Sequence, residues 1–224
     1  MKMESKSNQF ENVIVPRIKE TDTVITPWLI FSTIPNNEIE IPYNNKAFST
    51  WLSNEVIGLN FFAPGVKSYR LLPEGYSADF FYYYMGDSDR PISFIKLLKN
   101  GMVVCGVPAF SPLDTSEVVR PEFVLGYCGD FCSIAKLIYK KINYSEKIEV
   151  VLALKNVAEK MIVVSNIELA TKANRSYYFK EDSIDITYPV SNRDNLNCDS
   201  LKVPINRFLT KCGIQRFDED ALPI

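Results

Sequence analysis

The chain has 224 residues, 46% of them hydrophobic, with 25 Lys and Arg against 27 Asp and Glu. That length lies between one large domain and two small ones, and 14 Phe, 12 Tyr and a net charge of only −2 exclude a globally disordered chain. There are 10 basic against 11 acidic residues up to position 112 and 15 against 16 beyond it, so neither half carries the basic surplus that phosphate-driven nucleic-acid binding usually shows.

The first ten residues are polar, and 1–15 reads as a mobile start. Residues 24–34 are rich in β-branched and aromatic types and predict a strand. Pro27 makes it an edge strand or delays its start. Asn36 and Asn37 turn the chain, and 45–54, with Phe48, Trp51 and Leu52 at helical spacing, predicts a short amphipathic helix. The aromatic run 76–85 predicts a strand, and 86–91 a turn. Two apolar runs, 92–99 and 102–107, flank Asn100-Gly101, which predicts a hairpin with a two-residue type I′ turn.

A loop rich in Pro, Ser and Asp (108–120) leads to Pro121 at a first helical position. Phe123, Tyr127, Phe131, Ile134 and Ile138 then recur every three or four residues, predicting the main helix over 121–141. Residues 148–154 and 161–164 read as strands because β-branched clusters mark both ends, with a continuous helix as the alternative. The alternating run 183–188 predicts another strand, 190–200 a polar loop, and 201–212 a closing helix capped by Gly213. The class is α+β, a mainly antiparallel sheet with a central amphipathic helix and a short C-terminal helix. One domain over 1–224 is expected, with a subdomain division near 108–120 as the alternative.

No apolar run reaches the length of about 18 residues that spans a membrane, and the polar start lacks the apolar core of a signal peptide. A cytoplasmic protein without a membrane partner is therefore expected. Cys105, Cys128, Cys132, Cys198 and Cys212 are odd in number and irregularly spaced, which fits reduced thiols.

There is no histidine, which removes Ser-His-Asp and Cys-His catalysis, His-based zinc enzymes and the usual general base near neutral pH. Cys128 and Cys132 would share a helix face, yet scattered cysteines are all that is left to complete a zinc set, so they read as buried small hydrophobes. Asp87 and Asp89 flank Ser88 as a Mg²⁺ pair would, and equally as an ordinary turn does. Glu181, Asp182 and Asp185 read as a solvated face. With nine glycines and neither Gly-x₄-Gly-Lys-Ser/Thr nor Gly-x-Gly-x-x-Gly, no phosphate cradle and no cofactor is expected. The run 80–84 offers alternate rings for base stacking, with Arg70, Arg90, Lys96 and Lys99 as accompanying cations, or packs those rings into the core.

Three segments together resemble a known arrangement: the aromatic run leading into the strand and Asn-Gly turn of 92–104, the helix and strands of 123–164, and the ending 203–217, Val-Pro-Ile-Asn-Arg-Phe-Leu-Thr-Lys-Cys-Gly-Ile-Gln-Arg-Phe. Their order resembles the region of bacterial Schlafen-like proteins that follows the DNA-binding, divergent Alba-like domain, over about residues 16–217. That domain begins around a Glu-Ser-x-x-x-Glu-Phe-Lys type segment, which this chain lacks, so the resemblance carries over no nuclease carboxylate and no DNA contact. It implies an accessory half.

No catalytic or metal-ligating set is assigned. The expected function is a non-catalytic accessory or protein-interaction module in a nucleic-acid-associated or defence assembly, its partner another protein or a second copy. One alternative is a nucleic-acid binder using Arg70, Tyr82, Tyr84, Arg90 and Lys96. The other is a histidine-free, metal-dependent phosphodiester enzyme built on Asp87 and Asp89.

Overall fold

The structure, a computed structural model, describes residues 27–37, 39–42, 45–56, 70–71, 80–87, 90–109, 118–119, 121–162 and 177–211. Its first strand, β1 (Trp28–Pro35), begins one residue after Pro27. Of the two roles Pro27 allows, the late start is the one observed: β1 lies third in a seven-stranded sheet, so it is no edge. A strand whose polar side chains are only the small Ser32 and Thr33 suits that position, because β1 is buried along its whole length.

The other strands of this sheet are β2 (Arg70–Leu71), β3 (Phe80–Asp87), β4 (Arg90–Leu98), β5 (Val103–Pro108), β7 (Ile148–Lys155) and β10 (Ser183–Val190). Their order is β10-β7-β1-β5-β4-β3-β2, with every neighbouring pair antiparallel. Three short strands, β6 (Val118–Val119), β8 (Met161–Ile162) and β9 (Tyr177–Tyr178), form a second sheet with one parallel pair. The helices are α1 (Lys46–Trp51), continued by a π-helical turn over Leu52–Val56, α2 (Pro121–Lys141) and α3 (Cys198–Lys211). The fold is α+β.

One face of the sheet presents Leu29, Phe31, Leu97, Cys105, Leu152 and Ile184 to the helices. They meet Phe131, Ile134 and Ile138 of α2 and Leu201, Ile205 and Phe208 of α3, spacings that place each set on one helix stripe. The opposite face carries a second buried cluster of Trp28, Ile30, Phe94, Met102, Val104 and Val151. Gly106 sits opposite Phe94 in this cluster, where a Cβ atom would lie 2.2 Å from Phe94 Cε1. A glycine in a central strand is required there by the ring that covers it.

The β4–β5 hairpin forms where Asn-Gly predicts it, with a different turn. Gly101 has φ +81° and Asn100 is not in the left-handed region, whereas a type I′ turn needs both. The Gly101 N–H donates to the Leu98 carbonyl and the Leu98 N–H to the Met102 carbonyl, leaving three loop residues and a turn closed by glycine. Asn100 Oδ1 accepts from the Met102 N–H at 3.1 Å, so the side chain does the local bonding that a second left-handed residue would otherwise permit.

Helix α2 carries Lys140 and Lys141 in its last turn and ends with a cap of its own. Asn143 takes φ 55°, the Tyr144 N–H donates to the Tyr139 carbonyl, and the Asn143 N–H donates to the Lys140 carbonyl. The buried Tyr139 hydroxyl lies 2.9 Å from Thr33 Oγ1 and 3.1 Å from the Gly101 carbonyl, tying α2 to β1 and to the hairpin turn. Helix α3 starts at 198, three residues before its expected start, because Asn197 Oδ1 accepts from the Ser200 N–H at 2.8 Å and caps the first turn. Gly213 and the 1–15 segment lie outside the described residues.

Candidate functional site

The residues singled out by sequence share register positions. Tyr82 is opposite Lys96, Arg70 opposite Tyr84, and Arg90 opposite Asp87. Lys96 is 9% exposed and makes interactions within the protein, so it offers little surface to a phosphate. The side chains of Arg70, Tyr82, Tyr84, Arg90 and Asp87, and the whole of Asp89, lie outside the described part. Glu181, Asp182 and Asp185 are exposed, and among the described residues no group of three His, Cys, Asp or Glu is placed to hold a metal. Cys105, Cys128 and Cys132 are buried in the core, where burial pushes the Cys105 thiol far above its ordinary range. Asp130 is half-buried on α2, its carboxyl raised to about 6 by burial, with the Tyr127 hydroxyl close enough to feel its charge.

A different place gathers polar groups around a depression. Strand β10 is an edge strand, and α3 runs beside it to leave a groove of about 610 Å³. Its alternating sequence buries or half-buries Ile184, Ile186, Tyr188 and Val190 under the helices and exposes Asp185, Thr187 and Pro189. Leu201, Ile205 and Phe208 hold α3 to the core, so the next stripe, Val203, Arg207 and Thr210, borders the groove with Pro204 and Lys211. Val203 stands 53% exposed, one of the two large hydrophobic side chains so exposed among the described residues.

The ladder fixes which backbone groups face the groove. The Asn36 N–H donates to the Lys147 carbonyl in register with β1–β7, so Ser32 bonds Val151 and Val151 turns its own bonds away from β10. Thr187, opposite Val151, therefore points its N–H and C=O outward. Among the described residues neither has a hydrogen-bond partner. Pro189 shares this outward parity and has no N–H to leave unpaired, as edge position requires. The third outward residue, Asp185, has its carbonyl occupied by Lys211 Nζ at 2.7 Å.

Among the described residues the groove lining brings Arg207 and Lys211 together with Thr187, Tyr188 and Thr210, and it contains no carboxylate and no thiol. Arg207 is exposed and makes no ion pair or hydrogen bond among the described residues, while Thr210 Oγ1 is turned back onto the Asn206 carbonyl at 2.8 Å. Such a set binds and orients. A second depression over α1 is bordered by Lys46, Thr50 and Glu55 and lies on a six-residue helix.

Sequence reasoning did not single out Thr187, Arg207 or Lys211. Pro189 was the available signal, since a proline inside an alternating strand belongs at a sheet edge. Among the described residues, no helix is long and apolar enough to cross a membrane. No protein-family model, curated protein or solved structure matches this chain.

Proposed function

We propose that this protein is a non-catalytic interaction module that takes an extended segment of another protein onto the β10 edge, beneath α3. The observation that carries this is the outward, unpartnered N–H and C=O of Thr187 on the border of an open groove. An added strand satisfies both groups with one closely spaced pair of hydrogen bonds and takes its specificity from side chains that meet α3. A groove whose described lining has no acid and no thiol, in a chain without histidine, supports binding over chemistry. The order of elements that resembles the Schlafen-like accessory region supports an accessory role in a nucleic-acid-associated or defence assembly.

The test uses a photoreactive benzoylphenylalanine in place of exposed Val203. Irradiation in cells is expected to yield a crosslinked partner, and the yield should fall at least about tenfold when Thr187→Pro removes the edge donor. Crosslinking that is indifferent to Thr187→Pro sinks strand addition as the binding mode.

A further inference from the structure

Resting on the strand-addition reading, we infer that the β10 edge is guarded by Lys211 and opened by an acidic side chain of the incoming segment. An edge strand invites pairing with any extended chain, and lysines placed against the edge are one way of preventing it. Here the Lys211 ammonium occupies the Asp185 carbonyl, the acceptor next along the edge from Thr187. While it does so, an incoming strand has one full donor–acceptor pair to use, at Thr187. A carboxylate that draws the ammonium away returns the Asp185 carbonyl to the edge and extends the pairing to a second residue.

The direction follows from geometry. Lys211 marks the Asp185 end of the groove, and Val203 borders it eight residues earlier in α3. Those eight residues advance about 12 Å along the helix, against about 13 Å for β10 from Asp185 to Pro189. Helix α3 thus runs back along β10, with Arg207 near the level of Thr187 and Val203 near that of Pro189. A segment added antiparallel to β10 enters at the Val203 and Pro204 end and leaves at the Lys211 end. Its helix-facing side chains, every second residue, meet first an apolar shelf, then Arg207, then Lys211. The chemistry recognised is an extended peptide of the order apolar-x-acidic-x-acidic. Among the described residues, two cations and no lining acid supply the charge complementarity, and Arg207 has no partner to give up.

Fluorescence anisotropy with end-blocked, labelled Thr-Val-Thr-Glu-Thr-Glu-Thr tests this, against its Gln counterpart and the reversed order Thr-Glu-Thr-Glu-Thr-Val-Thr. The Glu peptide should bind about tenfold tighter than the Gln peptide, and the reversed peptide should be weaker than the forward one. Lys211→Met should strengthen Gln-peptide binding and shrink the Glu-to-Gln ratio, since the guard is gone. Arg207→Glu, at an exposed side chain without contacts, should weaken the Glu peptide and not the Gln peptide. Equal binding of Glu and Gln peptides, both lost in Thr187→Pro, overturns the guarded edge and leaves strand addition standing. No binding by any of the peptides to wild type or to Lys211→Met, with a partner crosslink that survives Thr187→Pro, overturns both. Dimers in light scattering that Thr187→Pro dissolves make the occupant a second copy and overturn the acidic partner.

Discussion

The centre of the sheet and its β10 edge are made from similar residues and held under opposite conditions. Strand β1 is flanked on both sides by hydrogen-bonded neighbours and buried on both faces, whereas β10 has one neighbour and shows an exposed residue at every second position. In the centre a backbone group has nowhere to go except the next strand, so any change is paid in stability. At the edge the groups are already exposed to water, and a change there alters what the strand can recruit while leaving the fold in place.

Among replacements that leave the backbone donors in place, the largest expected effect lies in the centre. Gly106→Ala puts a methyl group 2.2 Å from Phe94 Cε1, in a cluster where Trp28 packs on that ring at 5.7 Å between centroids. Displacing the ring should cost about 2–3 kcal/mol in urea unfolding. Phe94→Leu combined with Gly106→Ala should recover part of the loss relative to the sum of the two single variants, because the clash is gone. Simple additivity would mean that Phe94 is not the obstacle.

Tyr139→Phe is the next in size. It keeps the ring in the core and removes the hydroxyl that reaches Thr33 Oγ1 and the Gly101 carbonyl, both without access to water at this point. The expected loss is about 1–2 kcal/mol, read as a lower urea midpoint at unchanged m-value. A loss below about 0.5 kcal/mol would show that those acceptors find other partners.

What was legible in the sequence follows the same division. Central and helical elements announced themselves through local chemistry: the β-branched runs of β1 and β7, the spacing from Tyr127 to Ile138, and the Asn-Gly hairpin. What the sequence did not disclose was long-range. Strand β1 pairs with β7 over residues about 120 positions away, and no local pattern states that order. Two of the prolines show the consequence: Pro27 precedes a central strand, while Pro189 lies inside β10, at an edge. The groove was hidden for the same reason. Thr187, Arg207 and Lys211 are ordinary polar residues until the sheet order makes β10 an edge and α3 its neighbour. The turn at Asn100 was decided by a side-chain hydrogen bond, a detail below the resolution of the Asn-Gly pattern.

The smallest expected effect on stability is the one that most sharpens the contrast. Proline at a strand position removes one N–H, and the cost depends on whether that N–H was bonded. Val151 and Thr187 are direct cross-strand partners, so they share a register position and a sheet face. The Val151 N–H belongs to the β1 side of the ladder, and the Thr187 N–H belongs to none. Val151→Pro should therefore cost about 3 kcal/mol or more, and Thr187→Pro less than about 1 kcal/mol, since an exposed edge position tolerates the ring. Thermal unfolding of the two variants reads the difference directly. A Thr187→Pro variant as unstable as Val151→Pro would mean that the outward groups of Thr187 are bonded in solution, and the edge would then be closed to any partner.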